Sequence, residues 1–303
     1  MRSVVVNNII KRYGTKKAPV TALHGMSFEV EKGELFGIIG PDGAGKTSLF
    51  RVLTTLLLAD EGNAIVDGLD TVKDYKAIRH RVGYMPGRFS LYQDLTVQEN
   101  LDFFATIFNT SVEENYELVK DIYSQIEPFK DRRARRLSGG MKQKLALSCA
   151  LIHRPSVLFL DEPTTGVDAV SRKEFWEMLK KLKQQGITIL VSTPYMDEAG
   201  LCDRVALVQS GKILSVNTPQ GVVDGFGKKL LAVKSSDMLH LLNDLKNCGE
   251  VEDAYPFGEY HHAVMKSGGE QALKNYLQPT GRQYELKEVE PDIEDCFIAL
   301  MKN

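Results

Sequence analysis

The stretch GPDGAGKTS, residues 40–48, decides the fold of this chain, and it lies between a short β-like run at 34–39 and a presumed helix. It matches the pattern G-x-x-x-x-G-K-[ST] in the strand–loop–helix context that this motif requires. Its glycines let the backbone turn its N–H groups inward, where they and a helix N-terminus form a site for polyphosphate anions. The alternative is an ordinary glycine-rich turn. We predict a nucleotide phosphate loop made of Gly40, Pro41, Asp42, Gly43, Ala44, Gly45, Lys46, Thr47 and Ser48.

Within this loop, two side chains have the chemistry that a nucleotide triphosphate needs. Lys46 is expected to reach the β- and γ-phosphates, and the Thr47 hydroxyl is expected to ligate Mg²⁺. A second motif, VLFLDEP at 157–163, is an apolar strand that ends in two acids. We predict that Asp161 contacts the magnesium ion and that Glu162 polarises an attacking water as the catalytic residue. The alternative is a strand that ends in solvated acids.

A third motif, LSGGMKQ at 137–143, precedes the two acids by about twenty residues. Small residues at the start of a helix expose N–H donors to an anion. A chain that already has one phosphate loop needs no second one in the same pocket. We therefore predict that Ser138, Gly139 and Gly140 act on a nucleotide held mainly by another chain.

The composition is that of a globular protein with a substantial core, with 303 residues, 43% of them hydrophobic and 26% charged. A formal net charge of -2 gives no reason to expect nucleic acid as a partner. The four cysteines form no C-x-x-C pair, which is typical of reduced thiols in a cytosolic protein. No apolar run approaches the ~18–20 residues that span a bilayer, so we expect no transmembrane segment. If the protein serves a membrane process, we expect it to be peripheral, on the cytoplasmic side, and to act through a partner.

Strand and helix patterns alternate along most of the chain, which predicts a parallel sheet with helices on its faces and an α/β fold. Thr96 and Glu99 form a plausible capping box at the start of a helical region. After about Gly221 the sequence becomes glycine-rich and polar, which marks a domain boundary. The remaining order of strand, helix, two strands, helix, strand and helix is typical of a small α+β domain. We predict a nucleotide-binding domain at 1–221, with a helical subdomain at about 88–150, and an accessory domain at 222–303.

In their order and spacing, the three motifs resemble the Walker A, signature and Walker B motifs of ABC transporter ATP-binding subunits, and the resemblance covers about residues 3–220. The stretch GYMPGRFSLYQDLTVQENLDFF and the C-terminal domain are most similar to subunits of drug-efflux exporters. The resemblance implies a P-loop NTPase fold of the ABC type with an N-terminal antiparallel β subdomain, ATP and Mg²⁺ as ligands, and a membrane-spanning permease as partner. It implies that Tyr13 stacks on adenine, that Asp168 lies at a dimer seam, and that Leu137 and Gln143 act in trans as part of the signature. Family members form head-to-tail dimers, with each nucleotide between one chain's phosphate loop and the other chain's signature.

Two positions depart from this family pattern. In GYMPGRF the family usually has glutamine where this chain has Gly87, and in VSTPYMDEA it usually has histidine where this chain has Pro194. The resemblance implies that the glutamine contacts magnesium and the attacking water, and that the histidine binds the γ-phosphate. No histidine is close enough in sequence to be an obvious replacement, and Gln93, six residues beyond Gly87, is a weak substitute. We expect ATP binding at this chain's own site with weakened hydrolysis.

Because both losses fall on one side of a composite site, we favour a heterodimer with a second ATP-binding subunit over a slowly hydrolysing homodimer. The alternatives are a regulatory subunit with little hydrolysis of its own and a soluble ABC-type ATPase without a transport role. Phe89 and Tyr92, near Gly87, could pack against a short cytoplasmic helix of the membrane partner, although core packing would explain them as well. The sequence does not reveal the transported substrate.

Overall fold

The structure is a computed structural model that describes residues 1–15, 18–87, 91–266, 269–280 and 283–302. By contacts the chain divides into two compact units, Met1–Gln220 and Gly221–Asn303. Phe89 and the first residues of the predicted helical subdomain lie outside the described ranges. None of the helices in those ranges combines the length and the apolar character needed to cross a bilayer.

In the described ranges, ten strands and seven α-helices precede the second unit's sheet. The strands are β1 (Arg2–Thr15), β2 (Ala18–Glu31), β3 (Leu35–Ile39), β4 (Glu61–Val66), β5 (Leu69–Asp70), β6 (Val82–Met85), β7 (Val157–Asp161), β8 (Thr188–Thr193), β9 (Arg204–Gln209) and β10 (Lys212–Asn217). The helices are α1 (Lys46–Leu53), α2 (Tyr75–Arg81), α3 (Val97–Ile107), α4 (Tyr116–Tyr123), α5 (Gly139–Leu151), α6 (Ala169–Gln184) and α7 (Pro219–Asp224).

A four-stranded antiparallel sheet, in the order β2-β1-β4-β5, forms the N-terminal part of the first unit. On β1, Val4, Val6 and Ile9 are buried against the core, whereas several of the residues between and beyond them face solvent. This alternation is the pattern of a sheet with one solvated face. The antiparallel subdomain implied by the family resemblance is therefore present. Its first two strands are longer than the short runs predicted at 3–10 and 27–30, because register shifts between β1 and β2 let the pairing continue past irregular residues.

The central sheet has the order β10-β9-β3-β8-β7-β6, in which only β10 runs antiparallel to its neighbour. Every residue of β3, β7 and β8 is buried, as expected of strands covered on both faces. The carboxyl ends of parallel strands meet at one edge of a sheet, where ligands of open α/β folds bind. At this edge β3 leads into the phosphate loop, β6 leads toward Gly87, β7 ends in Asp161, and β8 ends before Pro194.

Helices α3, α4 and α5 pack together in the predicted helical region. The capping box predicted at the start of α3 is confirmed. The Thr96 side chain accepts a hydrogen bond from the Glu99 backbone at 3.1 Å, and the Glu99 carboxylate accepts one from the Thr96 backbone at 2.7 Å. On α6 the apolar face also matches the sequence pattern, and its buried residues are Phe175, Trp176, Met178, Leu179 and Leu182.

The second unit is a small α+β fold, in agreement with the predicted order of its elements. It contains β11 (Leu230–Ser235), α8 (Met238–Asn247), β12 (Val251–Phe257), β13 (Tyr260–Met265), α9 (Glu270–Leu277), β14 (Tyr284–Val289) and α10 (Ile293–Leu300). Its strands pair antiparallel in the order β12-β13-β11-β14. The buried Asp295 of α10 accepts a hydrogen bond from the Tyr255 hydroxyl at 2.8 Å and lies 2.7 Å from Nδ1 of His262, which fixes α10 to β12 and β13.

Candidate functional site

The phosphate loop has backbone geometry that only glycine fits well. A Cβ atom at Gly40 would lie 2.1 Å from the Val208 carbonyl oxygen, and one at Gly45 would lie 2.6 Å from the Ala22 carbonyl oxygen. Gly45 also has a φ of 98°, in the left-handed region. It is the N-cap of α1 and has no side chain to pair with the first N–H groups of that helix. Those donors are therefore free to bind an anion.

Lys46 is the centre of this loop. Its side chain is only 3% exposed, and Nζ donates hydrogen bonds to the carbonyl oxygens of Gly40 at 2.7 Å and Pro41 at 3.0 Å. Nζ also lies 3.1 Å from Oε1 of Glu162. The structure thus brings together the predicted phosphate-binding lysine and the predicted catalytic acid, although they are far apart in sequence.

The two acids at the end of β7 have different surroundings. Asp161 is buried, and Oδ1 accepts a hydrogen bond from the Ser192 hydroxyl at 2.6 Å. Glu162 is partly exposed and has a φ of 49°, which is unusual for a residue with a side chain. The Glu162 N–H points to the backbone oxygen and the hydroxyl of Ser192, each at 3.0 Å. Such strained backbone persists only where its surroundings hold it, and it is common at functional sites.

Ser192 is a site residue that sequence reasoning did not select. It is the second-last residue of β8, completely buried, and it touches both acids of the neighbouring strand. The signal in the sequence was the change from the apolar run 189–191 to the polar pair Ser192 and Thr193 at the end of the strand. Its importance depends on the parallel register that pairs Asp161 with Ser192, and the sequence does not state that register.

The residues present fit a Mg²⁺ ion held together with a nucleotide. Mg²⁺ keeps most of its water and is usually bound by one or two protein oxygens and by substrate phosphates. Asp161, the last residue of β7, and Thr47, in the first turn of α1, carry oxygen atoms of this kind. In the described ranges no group of three or more His, Cys, Asp or Glu side chains forms a site that could hold a metal without a nucleotide.

Gly87 and Pro194 both border this centre. A Cβ atom at Gly87 would lie 3.1 Å from the Asp161 carbonyl oxygen and 3.8 Å from the Glu162 Cβ. Pro194 directly follows Thr193, whose carbonyl oxygen accepts a hydrogen bond from the Gly40 N–H at 3.2 Å. Neither position has a polar side-chain atom. The side chain of Gln93 donates through Nε2 to the Leu91 carbonyl oxygen at 3.5 Å.

Tyr13 lies beside the start of α1. Its hydroxyl is 3.0 Å from the Ser48 hydroxyl, and the residue is 38% exposed. The Lys11 ammonium lies 5.9 Å from the centre of its ring. An exposed aromatic ring next to the phosphate loop is suitably placed for a nucleotide base. The predicted stacking on adenine stays a prediction.

The signature segment forms the first turn of α5. Ser138 is the N-cap and accepts a hydrogen bond from the Met141 N–H at 3.3 Å, and both Ser138 and Gly139 are exposed. Gln143 has a different position: it is fully buried and donates to the Pro163 carbonyl oxygen at 2.7 Å. Gln143 therefore fixes α5 to the segment after Glu162 and is not positioned to touch a second chain's nucleotide.

Asp168 is an exposed residue that caps α6. Its carboxylate accepts hydrogen bonds from the N–H groups of Val170 and Ser171, at 3.1 Å and 3.0 Å, and from the Ser171 hydroxyl at 2.8 Å. The hydrogen bonds from Ser171 hold the pKa of Asp168 below its usual range. The neighbouring Val170 is 69% exposed. The location of Asp168 at a dimer seam remains a prediction.

An apolar groove of about 350 Å³ lies beside the strand that leads to Gly87. Aromatic and aliphatic side chains form most of its wall, among them Leu56, Tyr84, Met85, Phe104, Ile107 and Phe108. His153 also lines it, stacked on Phe108 at 3.7 Å and bonded through Nε2 to the Val82 carbonyl oxygen at 3.0 Å. Burial lowers the pKa of His153 to about 4, so this imidazole is uncharged at neutral pH.

Comparison with protein families gives a match over residues 23–165 to the family described as ABC transporter. A probable multidrug ABC transporter ATP-binding protein of Escherichia coli strain K12 is 35% identical over 303 residues. That match includes 98% of this chain but 52% of the relative, so the chain spans about half the relative's length. A Nod factor export ATP-binding protein of Burkholderia lata is 36% identical over 242 residues, which are 78% of each protein. A daunorubicin resistance ATP-binding protein of Streptomyces coeruleorubidus is 37% identical over 219 residues, or 71% of this chain and 68% of that protein.

Solved structures agree with these sequence matches. An ATP-binding cassette determined as a dimer with ADP and phosphate, in a post-hydrolysis state, superposes with a TM-score of 0.65 and 25% identity. The superposition includes 71% of this chain and 98% of that one. A protein from Clostridium perfringens, part of an ABC transporter complex, superposes with a TM-score of 0.64 and 26% identity, over 74% of this chain and 91% of its own.

Proposed function

Because this chain belongs to the ABC transporter family of ATP-binding proteins, we propose that it is a subunit that couples ATP binding and hydrolysis to transport by a membrane partner. The observation that carries this proposal is the meeting of Lys46 and Glu162, 3.1 Å apart, at the carboxyl edge of the central sheet. The relatives named for multidrug transport, Nod factor export and daunorubicin resistance support export as the direction. A peripheral position on the cytoplasmic side of the membrane follows from this role.

The residues of the site divide the work of hydrolysis between them. The loop N–H groups and Lys46 bind and orient the phosphates, while Thr47 and Asp161 would hold Mg²⁺. When bound, this ion neutralises charge that develops on the phosphates. Glu162 orients and polarises the attacking water. Ser192 holds the Asp161 carboxylate and the backbone of Glu162 in place, so both acids depend on the same hydroxyl.

The second element of the proposal is a composite site shared with another ATP-binding subunit. The exposed Ser138 and Gly139 at the N-terminus of α5 offer N–H donors and a positive helix end to an anion outside this chain. Gly87 and Pro194 remove polar groups only from the side of this chain's own phosphate loop. A different partner with an intact glutamine and histidine would form one competent site with this chain's signature. This asymmetry favours a heterodimer.

A second function fits the same residues. With Gly87 and Pro194 beside Glu162, this chain could bind ATP and signal occupancy with little hydrolysis of its own. The substitution Glu162→Gln in the assembled complex separates the two functions. Transport that is unaffected by this change would support a regulatory site, whereas a loss of transport would assign a catalytic contribution to Glu162.

The groove beside Gly87 is the proposed contact with the membrane partner. It is apolar, it lies next to the segment that leads to the catalytic edge, and two of its aliphatic side chains are largely exposed: Leu56 at 57% and Ile107 at 54%. Apolar side chains that line an open groove are typical of a surface that receives an amphipathic helix. A short cytoplasmic helix of the permease, with its apolar face inward, is the proposed occupant.

Leu56→Glu and Ile107→Glu should reduce the amount of membrane partner that co-purifies with the tagged chain by about tenfold. The reason is that burying a carboxylate against the apolar face of a partner helix costs more than the ~1.4 kcal/mol that corresponds to a factor of ten. Both positions are exposed, so the isolated chain should fold and bind an ATP analogue as before. Leu239→Glu is the matched control, since Leu239 is 72% exposed in the second unit. If both groove variants recover as much membrane partner as the wild type, the groove is not the contact. If no membrane protein co-purifies with the wild-type chain, the transport function is contradicted.

A further inference from the structure

The first turn of α6 contacts two segments that serve different nucleotides in the proposed composite arrangement. Ser171 packs against the signature segment, whose nucleotide is held by the partner. Arg172, the next residue, contacts the segment that follows Pro194 at this chain's own site. Neither residue belongs to the motifs that the sequence singled out.

Arg172 binds the Pro194 segment through three groups. Its Nη2 donates to Asp197 at 2.9 Å, its Nε lies 3.3 Å from Oε1 of Glu198, and its guanidinium carbon lies 4.5 Å from the centre of the Tyr195 ring. The Glu198 side chain is 1% exposed, and its carboxylate lies buried beside this guanidinium. Removal of the cation alone would leave a buried carboxylate without its ion-pair partner.

Glu198 extends this connection back to the central sheet. Its Oε2 accepts a hydrogen bond from the hydroxyl of Thr193, the last residue of β8, at 2.5 Å. The same hydroxyl accepts the Tyr195 N–H at 3.1 Å. Pro194 is thus enclosed between two anchored residues. The side chain of Pro194 has no polar atom and its backbone nitrogen carries no N–H, so this residue cannot donate a hydrogen bond to a phosphate. A displacement of the segment would instead act on Arg172, which binds it.

Ser171 makes the contact on the other side. A Cβ atom at Gly140 would lie 2.6 Å from the Ser171 hydroxyl oxygen and 3.0 Å from its Cβ, so no space separates the signature turn from α6. The hydroxyl also donates to Asp168 at 2.8 Å, which fixes its orientation. A shift of the first turn of α6 must therefore shift Gly140, because closely packed elements move together.

We propose that Ser171 and Arg172 are positioning residues that couple the state of this chain's own nucleotide site to the geometry of its signature segment. The proposal rests on the proposed function, in which the two segments serve different nucleotides. The γ-phosphate side of the bound nucleotide displaces the Pro194 segment, Arg172 transfers the displacement to α6, and Ser171 transfers it to Gly140. In this chain the coupling replaces the direct phosphate contact that a histidine at position 194 would make.

Hydrogen exchange of the full chain tests the coupling without any partner. The chain is measured with and without a non-hydrolysable ATP analogue and Mg²⁺, at a concentration at which light scattering reports monomers. In the wild type the analogue should change the exchange rate of amides in the 137–151 peptide by about fivefold or more, within the range typical of coupled sites. In Arg172→Lys the change should fall below about twofold, because lysine keeps the charge but lacks the planar fork that serves two carboxylates and an aromatic ring. Ser171→Ala should have the same effect, with the dissociation constant of the analogue unchanged within about twofold.

Lys181→Arg is the control on the same helix, because the ion pair of Lys181 with Asp121 is exposed and touches neither segment. It should leave the exchange response intact. If Arg172 has only a structural role, Arg172→Lys lowers the melting temperature but leaves the response to the analogue unchanged, which would overturn the proposal. If Arg172→Lys does not fold, the exchange response of Ser171→Ala is the test: an unchanged response at 137–151 would overturn the proposal. A wild-type chain that does not bind the analogue contradicts the proposed function, whereas binding without any response at 137–151 contradicts only the coupling.

Discussion

Gly139→Asp in this chain should lower the ATP turnover of the assembled complex by about 10²–10³-fold, the loss typical for removal of a preorganised electrostatic group. Gly139 is exposed in the first turn of α5, where the proposed partner nucleotide presents its phosphates. A carboxylate at this position repels those phosphates and occupies the positive helix end. The fold should not suffer, because a Cβ atom at Gly139 meets only the Gly166 carbonyl oxygen, at an ordinary 3.6 Å.

Gly139→Asn is the matched control, since asparagine has nearly the same shape as aspartate without its charge. It should retain much more turnover than Gly139→Asp. ATP binding to the isolated chain should be equal in both variants, because this chain's own phosphate loop is unchanged. Normal turnover by a complex that contains Gly139→Asp would show that the signature segment does not face a nucleotide.

The second large expected effect is an increase in the ATP turnover of the isolated chain. Gly87→Gln combined with Pro194→His should raise the ATP turnover of the isolated chain by as much as about 10²–10³-fold, because it returns two groups that stabilise the transition state. The increase from both changes should differ from the product of the single effects, since groups that act as a unit are not additive. The new Cβ at position 87 would lie 3.1 Å from the Asp161 carbonyl oxygen, so the β7 end must yield by a few tenths of an ångström.

The measurement is steady-state phosphate release by the wild type, the two single variants and the double variant, each with its ATP affinity. Glu162→Gln added to the double variant is the control, and it should remove the gained activity, because the returned groups act on a water that Glu162 polarises. A double variant that binds ATP but hydrolyses it no faster than the wild type would show that Gly87 and Pro194 do not limit this site.

Much of the site could be predicted because its chemistry is encoded locally. The phosphate loop depends on glycines whose backbone must turn and approach other backbone atoms, and these positions are visible in the sequence. The ends of β3, β7 and β8 were recognisable as apolar runs that stop at polar or special residues. Their meeting at one edge then follows from the parallel sheet.

The remaining contacts depend on pairings between distant segments. Ser192 reaches both acids only through the register of β7 with β8. The buried position of Gln143 depends on how α5 packs against the segment at Pro163. The contact of Arg172 with Glu198 joins α6 to a short 3-10 helix, and the two residues are 26 positions apart in the chain. The sequence shows no pattern for such a pair. The lengths of β1 and β2 were also underestimated, since bulges interrupt the alternation that marks a strand.

The most direct test of the composite site is the ATP turnover of the purified wild-type chain alone, at saturating ATP and Mg²⁺, compared with that of the assembled complex. An isolated chain that binds ATP but turns it over at least about 10²-fold more slowly than the complex is the expected result, because two transition-state groups are missing from its own site. Brisk hydrolysis by the isolated chain that is lost in Glu162→Gln would contradict it. In that case Gly87 and Pro194 would have left a fully competent site, and no second ATP-binding subunit would be needed.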